Sequence, residues 1–186
     1  MWLPISFGET VAQRRFGTFE PWTFDVLDRI VRPGFVVVEL GACYGAFTIY
    51  LSRLVGPEGR VYGFEPFPKY FEIVERNIAL NTLKNVRLLN KAVTSPSISS
   101  VDFSAESITP YSGIEQITGL DYSEVLDSAK DESAHSIDTV QCVPLLEFLS
   151  SEQCTMDLLF MDIEGTEIDV LKNIRSLLCS EGKRPV

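Results

Sequence analysis

The chain has 186 residues, of which 45% are hydrophobic, 11% aromatic and 23% charged, proportions typical of an ordinary globular domain. Its net charge of −10 disfavours a nucleic-acid partner, because gripping a phosphate backbone needs clustered lysine and arginine. No segment approaches the roughly 18 consecutive apolar residues of a membrane span, and no signal-peptide pattern is present. We therefore expect a soluble cytoplasmic protein without a membrane partner.

The cysteines and the single histidine, His135, do not form a metal-binding pattern. Cys43, Cys142, Cys154 and Cys179 are scattered, without a CxxC pair. A zinc site therefore lacks ligands at usable spacing, and we expect no metal and reduced thiols.

The N-terminal half predicts helices and strands in alternation. A helix from Pro21 is followed by a β-branched strand over 35–40, a glycine-spaced turn and a second helix that ends at Gly56-Pro57. The predicted apolar face of the first helix is Trp22, Val26, Leu27, Ile30 and Val31. The strand is apolar enough to be buried on both faces, and the glycines would let the backbone approach a flat ligand.

The alternation continues with a strand over 60–65, a helix from Pro68 that ends at Asn81 or Asn85, and a strand over 86–90. This order implies right-handed crossovers between parallel strands. We therefore predict an α/β fold with a doubly wound, mostly parallel sheet.

We expect a single domain over 1–186 with three parts. Residues 20–93 form the cofactor-binding half, and 94–138 form a polar insertion that contains a short strand near 101–103. The insertion is either a binding lid or a mobile segment. Residues 139–186 hold the last strands and helices.

The third part begins with a strand over 139–143 and a short helix over 144–149. A buried strand over 157–162 precedes a last helix that begins at Thr166 with a capping-box spacing to Asp169. Its predicted buried residues are Ile168, Leu171, Ile174 and Leu178. The chain stops where a further strand is expected, so we expect that C-terminal strands are missing.

Acidic side chains follow three of the predicted strands. Glu39, Glu65 and Asp162 stand at these strand ends, and Glu164 follows closely after Asp162. In a doubly wound sheet the first strand lies between the other two, so the three ends face one crevice. The sequence therefore predicts a negatively charged crevice at this edge of the sheet.

Glu65 stands about two dozen residues after the glycine turn, at a strand end. This is the layout of a nucleoside site, because a carboxylate can accept hydrogen bonds from both ribose hydroxyls. The alternative is a solvated acid that only ends the strand.

The turn between Gly41 and Gly45 indicates which nucleoside is bound. It lacks the GxGxxG spacing that docks a pyrophosphate on a helix N-terminus. Glu39 and Asp162 would repel such a group, since two charges about 4 Å apart at an effective dielectric constant near 20 interact by roughly 4 kcal/mol. They would attract the ammonium and sulfonium of S-adenosylmethionine. The alternative for Glu39 is a partly buried acid satisfied by backbone N–H groups.

Four segments together resemble the FkbM family of S-adenosylmethionine-dependent methyltransferases. They are Glu39 to Gly45, Phe64-Glu65-Pro66, Asn77 to Asn81, and the most specific, Asp162-Ile163-Glu164-Gly165-Thr166-Glu167. The similarity runs from about Glu20 to Val186. It implies a class I methyltransferase Rossmann-like sheet and O-methylation of a sugar or natural-product hydroxyl.

The resemblance also implies roles for individual residues. The methionine end of the cofactor would be lined by Glu39, Gly41, Ala42 and Gly45. The ribose would be held by Glu65, next to Pro66, and the adenine would be flanked by Lys91 and Ala92. The catalytic candidates, near the sulfonium and the acceptor, would be Asp162 and Glu164.

Two positions depart from the family pattern. Cys43 stands where Asn is common, which affects a hydrogen bond in the turn, and Phe160 stands where a Lys often precedes the aspartate by two residues. The second change removes a cation from beside the acids.

The acceptor proton needs a base, for which Asp162 and Glu164 are the candidates and His135 is a weaker one. Cys43 has no paired histidine nearby in sequence and is a poor nucleophile. Tyr44 and Phe67 could stack on adenine, whereas Phe47 is expected to pack in the core. Two other functions stay open: a binding or scaffold module without catalysis, and a nicotinamide-dependent enzyme.

Overall fold

The first strand, β1 (Val36–Leu40), lies in the middle of the main sheet. The computed structural model describes residues 20–104, 137–163, 166–179 and 185. In β1, the last four residues are buried, which confirms that the β-branched run is a central strand. β1 pairs in parallel with β2 (Arg60–Phe64) on one side and with β7 (Leu158–Met161) on the other.

The main sheet has four parallel strands in the order β3-β2-β1-β7, where β3 is Val86–Leu89. Helices precede, connect and follow these strands, in the alternation that the sequence predicts. They are α1 (Pro21–Ile30), α2 (Ala46–Val55), α3 (Pro68–Leu80), α4 (Leu145–Ser151), α5 (Glu167–Asn173) and α6 (Arg175–Leu178). This topology confirms the predicted α/β fold and brings the ends of β1, β2 and β7 to one edge.

A second, smaller sheet contains the remaining described strands. Its order is β4-β6-β5, with β4 (Ala92–Val93) parallel and β5 (Ser100–Ser104) antiparallel to β6 (Ile137–Val143). β5 corresponds to the short strand expected near 101–103. The rest of the polar insertion, residues 105–136, lies outside the described residues.

Helices cover both faces of the main sheet, and each face has its own apolar cluster. On one face, α1 and α2 pack against alternate residues of β1 such as Val37, with Phe24 and Leu51 fully buried. On the other face, Val38 packs with Phe148 from α4 and with α5. Within the described ranges, none of the helices is long and apolar enough to span a bilayer.

The predicted buried face of α1 is wrong in part. Trp22 is 81% exposed and Val26 is 53% exposed, whereas Phe24 and Leu27 are buried. The ring of Phe24 contacts Phe47 and Tyr50 of α2, with centroids 4.9 and 4.8 Å away. This contact turns Phe24 and Leu27 toward the sheet, which leaves Trp22 and Val26 on the solvent side.

The last predicted helix differs in the same way. It is divided at Ile174 into α5 and α6, and Ile168 (67%) and Leu171 (42%) are exposed, while Val170 and Ile174 are buried. Thr166 stands at the N-cap, but its side chain makes no capping hydrogen bond, so the capping box is not formed. The apolar pattern did not determine which stripe of this helix faces the sheet.

Candidate cofactor site

The glycine turn is joined to the end of β2 through its backbone. The N–H groups of Gly41 and Ala42 both donate to the Phe64 carbonyl, at 2.9 and 3.0 Å. The next N–H, that of Cys43, donates to the Glu65 carboxylate at 2.7 Å. Three successive donors are therefore used within the protein, and the turn does not offer them to an anion.

The two glycines are required by packing inside the protein. A Cβ on Gly41 would overlap the carbonyl oxygen of Asp162, and a Cβ on Gly45 would stand 3.1 Å from a Val74 methyl group. Both residues have left-handed φ values, +88° and +85°. Packing inside the protein thus requires both glycines whether or not a ligand is bound. That their backbone is also approached by a ligand stays a prediction.

Glu65 is held at the crevice by two backbone groups. Its carboxylate accepts hydrogen bonds from the Cys43 N–H at 2.7 Å and the Phe67 N–H at 2.9 Å, one on each oxygen. The residue is 4% exposed, so it is not a solvated strand cap. Burial raises the pKa of Glu65 to about 7, against the opposing effect of the two N–H donors. Each oxygen retains a second lone pair, which is what a ribose hydroxyl would need.

Glu39 lies behind the turn with no exposed surface. One carboxylate oxygen accepts a hydrogen bond from the Thr48 hydroxyl at 2.7 Å, and the other has no partner among the described residues. Gly63, the register partner of Glu39 on β2, provides the room, since its Cβ position is 3.5 Å from the carboxylate. The Thr48 backbone N–H also hydrogen-bonds the Glu39 carboxylate. The alternative that backbone N–H groups satisfy Glu39 therefore holds only in part, because one oxygen has no partner among the described residues. The predicted contact with the methionine end stays a prediction.

Burial raises the pKa of Glu39 to about 7, and the charge of Glu65 adds to the shift. The folded pKa lies above the ordinary value of 4.5, so this group stabilises the fold fully below pH 4.5, and its contribution is lost as pH rises through about 7. Between pH 5 and pH 8, Glu39 should lower the free energy of unfolding by about 2 kcal/mol.

A glutamine at position 39 does not titrate, so Glu39→Gln should not show this loss. We therefore expect the free energy of unfolding of Glu39→Gln, relative to that of the wild type, to rise by about 2 kcal/mol from pH 5 to pH 8. Urea unfolding at four pH values in this range measures the difference, with Glu75→Gln on the exposed face of α3 as the control. Parallel stability curves for Glu39→Gln and the wild type would contradict the expectation.

The three strand-end acids converge on Cys43. Burial raises the pKa of the Cys43 thiol, and the charges of Glu65, Asp162 and Glu39 raise it further. Asp162 is exposed at the end of β7, where its N–H donates to the Leu40 carbonyl at 3.0 Å. The three acids predicted from the sequence therefore lie near one residue of the turn. That they line a crevice for a cofactor stays a prediction. The thiol is protonated in this field, so Cys43 is no thiolate nucleophile.

Cys43 also occupies an unusual backbone conformation. Its φ is +51°, in the left-handed region that asparagine adopts more readily than other non-glycine residues. This explains why Asn suits the position. In this chain, the hydrogen bond from Cys43 N–H to Glu65 holds a residue without that preference in the same conformation.

Phe160, the other departure from the family pattern, is the register partner of Glu39 on β7. Its ring contacts Phe47 with centroids 4.9 Å apart, and Phe47 contacts Phe24. Phe47 therefore packs in the core, as predicted. Where a lysine could face the acid, this chain has an aromatic contact, which is consistent with the raised pKa of Glu39.

Three rings lie beside Glu65. Tyr70, in the first turn of α3, contacts the ring of Tyr44 at 4.9 Å and that of Phe67 at 5.2 Å. Burial raises the pKa of Tyr70, and the charge of Glu65 adds to the shift, although a hydrogen bond with Tyr44 opposes it. Tyr44 and Phe67 thus both contact the ring of Tyr70. Their stacking on adenine stays a prediction.

The ends of β2 and β3 are joined by Asn90, which the sequence analysis did not single out. Its amide donates to the carbonyls of Glu65 and Pro66 at 2.9 and 2.8 Å. Lys91 follows directly, and Ala92 begins β4. Their contact with adenine stays a prediction.

Other positions add little to the site. Glu164, Gly165 and His135 lie outside the described residues. Across the described part of the chain, no group of three His, Cys, Asp or Glu side chains is arranged to hold a metal ion. The sequence analysis also missed Thr48, which donates to Glu39, and Asn77, which donates to the Tyr44 carbonyl. The only sequence signal for them was a polar side chain within the apolar stripe of a helix.

Comparison with known proteins identifies the family of the chain. The family model described as the methyltransferase FkbM domain matches residues 39–183. The protein called Methyltransferase 1 from Beauveria bassiana is 26% identical over 146 residues, which cover 74% of this chain and 57% of that protein. A tRNA (adenine(58)-N(1))-methyltransferase catalytic subunit, TRM61, from Cryptococcus neoformans is 41% identical over 63 residues, which cover 34% of this chain and 14% of that protein.

A solved structure of a SAM-dependent methyltransferase from Aquifex aeolicus has 25% identity and a TM-score of 0.39, covering 46% of this chain and 45% of that chain. The chain spans just over half of the Beauveria protein and a smaller part of the other two. Because one relative is named as a tRNA methyltransferase, the comparisons do not support the expected exclusion of nucleic acid. Since the family model covers most of the sequence, the chain belongs to the methyltransferase FkbM domain family.

Proposed function

We propose that this chain binds S-adenosylmethionine and takes part in methyl transfer. The observation that carries the proposal is the convergence of Glu39, Glu65 and Asp162 around a turn whose first three N–H groups are already bonded. A site with negative side chains and few free donors favours a cationic ligand over a pyrophosphate. Glu39 has a fully buried oxygen without a partner among the described residues, and a cation bound nearby would favour the ionised form of its carboxyl.

The side chains of the crevice would divide the work of binding and proton transfer. When bound, S-adenosylmethionine supplies a methyl group activated by a sulfonium. Glu65 would accept hydrogen bonds from the ribose hydroxyls through its remaining lone pairs. Asp162 would take the proton that an acceptor hydroxyl loses, because it is exposed at the end of β7. Alignment of donor and acceptor supplies most of the rate, up to roughly 7 to 11 kcal/mol in well-oriented systems.

Within this function, we propose a hydroxyl on a sugar or another small molecule as the acceptor. The net charge of −10 supports it, since a polyanionic acceptor would be repelled. Glu164 would be a second candidate for the base. Nucleic acid is the competing acceptor class, and the name of the TRM61 relative is its support.

Two other functions make different predictions. A binding or scaffold module would bind S-adenosylmethionine without transferring its methyl group. A nicotinamide-dependent enzyme would bind NAD, but the bonded N–H groups of Gly41, Ala42 and Cys43 speak against a pyrophosphate at this turn.

Isothermal titration with S-adenosylmethionine and with NAD, followed by a transfer assay, separates these functions. We expect saturable binding of S-adenosylmethionine, no binding of NAD, and S-adenosylhomocysteine formation with a member of a sugar and phenol panel. Transfer only to a tRNA would reassign the acceptor. Binding without transfer to any acceptor would favour the module, and binding of NAD alone would refute the proposal.

A further inference from the structure

The helix α3 holds the glycine turn through one stripe of side chains. Tyr70 contacts the ring of Tyr44, Val74 packs on Gly45, and Asn77 donates its amide N–H to the Tyr44 carbonyl at 2.9 Å. The spacings of four and three residues place all three side chains on the same side of the helix. The turn is therefore held from α3 as well as from β2.

Asn77 makes the polar contact of this stripe. It has no exposed surface, and burying an amide in an apolar environment is unfavourable unless it is hydrogen-bonded. Its side-chain nitrogen reaches the backbone of the turn, 33 residues earlier in sequence. An apolar residue could fill this volume, but it would leave the Tyr44 carbonyl without this donor.

The bond acts where the turn is most constrained. Tyr44 stands between Cys43 and Gly45, which both have left-handed φ values, +51° and +85°. The N–H of Cys43 is fixed by Glu65, and the carbonyl of Tyr44 is fixed by Asn77. One donor and one acceptor, anchored to different elements, thus set the orientation of the two peptide groups that flank the Cys43–Tyr44 peptide.

We propose that Asn77 is a positioning residue, which keeps the glycine turn in the conformation that accepts the cofactor. It does so without contact with the ligand, because its amide is buried beneath the turn. This inference rests on the proposed binding of S-adenosylmethionine to the same turn.

Asn81 offers a matched control on the same helix. It is also buried, at 8% exposure, and its amide donates to the backbone carbonyl of Asn77 at 2.8 Å instead of to the turn. Alanine at either position removes a buried amide and one such hydrogen bond. Only Asn77→Ala removes the anchor of Tyr44.

Titration of both variants with S-adenosylmethionine, together with urea unfolding, tests the proposal. We expect similar losses of stability, with cofactor affinity at least tenfold weaker in Asn77→Ala and changed by less than threefold in Asn81→Ala. Asn77→Asp, which keeps the shape and removes the donor, should weaken binding as Asn77→Ala does. Equal affinity losses in the Asn77 and Asn81 variants would assign Asn77 a purely structural role and overturn the inference.

Hydrogen exchange separates this inference from the proposed function. The amides of Cys43 and Gly45 are hydrogen-bonded, so we expect their exchange to accelerate at least tenfold in Asn77→Ala and to stay unchanged in Asn81→Ala. If the wild type does not bind S-adenosylmethionine, the proposed function fails, and this exchange pattern still decides whether Asn77 positions the turn. Unchanged exchange in Asn77→Ala would overturn the inference.

Discussion

Gly41→Ala should destabilise the fold by about 4 kcal/mol or more, which is exceptional for one added methyl group. The new Cβ would overlap the carbonyl oxygen of Asp162 and stand 3.1 Å from its carbonyl carbon. Both atoms belong to the backbone where β7 ends, so the clash cannot be relieved by a side-chain rotation. Separation of β1 from β7 would also disperse the acids of the crevice, so cofactor binding should be lost with stability.

Gly34→Ala is the matched control for this effect. Gly34 has nearly the same φ, +85° compared with +88°, but nothing lies within 4 Å of its Cβ position. Gly34→Ala should lower the free energy of unfolding by only about 1–2 kcal/mol, which is the cost of a left-handed backbone for alanine. Urea unfolding measures both variants. Equal losses of stability in the two variants would show that Gly41 is not required by its close contact with Asp162.

The second large effect is expected for Glu65→Ala. The substitution leaves the N–H groups of Cys43 and Phe67 without their acceptor, and each unsatisfied buried donor costs about 1–3 kcal/mol. Relief of the buried carboxylate offsets part of this, so we expect a net loss of about 2 kcal/mol in stability. Affinity for S-adenosylmethionine should fall by at least about 1.5 kcal/mol, because a charged hydrogen-bond acceptor is removed.

Glu65→Gln separates the two roles of this side chain. Its amide oxygen can still accept one of the N–H bonds, so stability should lie between the wild type and Glu65→Ala, while the charge is lost completely. Glu72→Ala, an exposed acid on α3, controls for net charge. Unchanged cofactor affinity in Glu65→Ala would show that the ribose is bound elsewhere.

The sequence was sufficient for the sheet order and for placing the strand-end acids at one edge of the sheet. Strands such as β1 have a period and a β-branched composition that do not depend on distant contacts, and right-handed crossovers leave few topologies. For the same reason, the acids at the ends of β1, β2 and β7 could be brought together before any coordinates were known.

Helix faces and buried polar contacts could not be predicted in this way. Trp22 and Phe24 are both apolar, and only the packing of Phe24 on α2 decides which of them is buried. The full burial of Glu39 depends on Gly63 of the neighbouring strand. The role of Asn77 depends on the Tyr44 carbonyl, which lies 33 residues away in sequence. These are long-range pairings that local pattern does not contain.

The antiparallel pairing of β5 with β6 ends at the partners Ser104 and Ile137. The chain therefore leaves and re-enters this small sheet at neighbouring points, whatever lies between. Loop closure depends only weakly on length, about 0.6 kcal/mol for each doubling. The stretch 105–136 could thus be replaced by one of different length at little cost in loop closure, with the pairing of β5 and β6 retained.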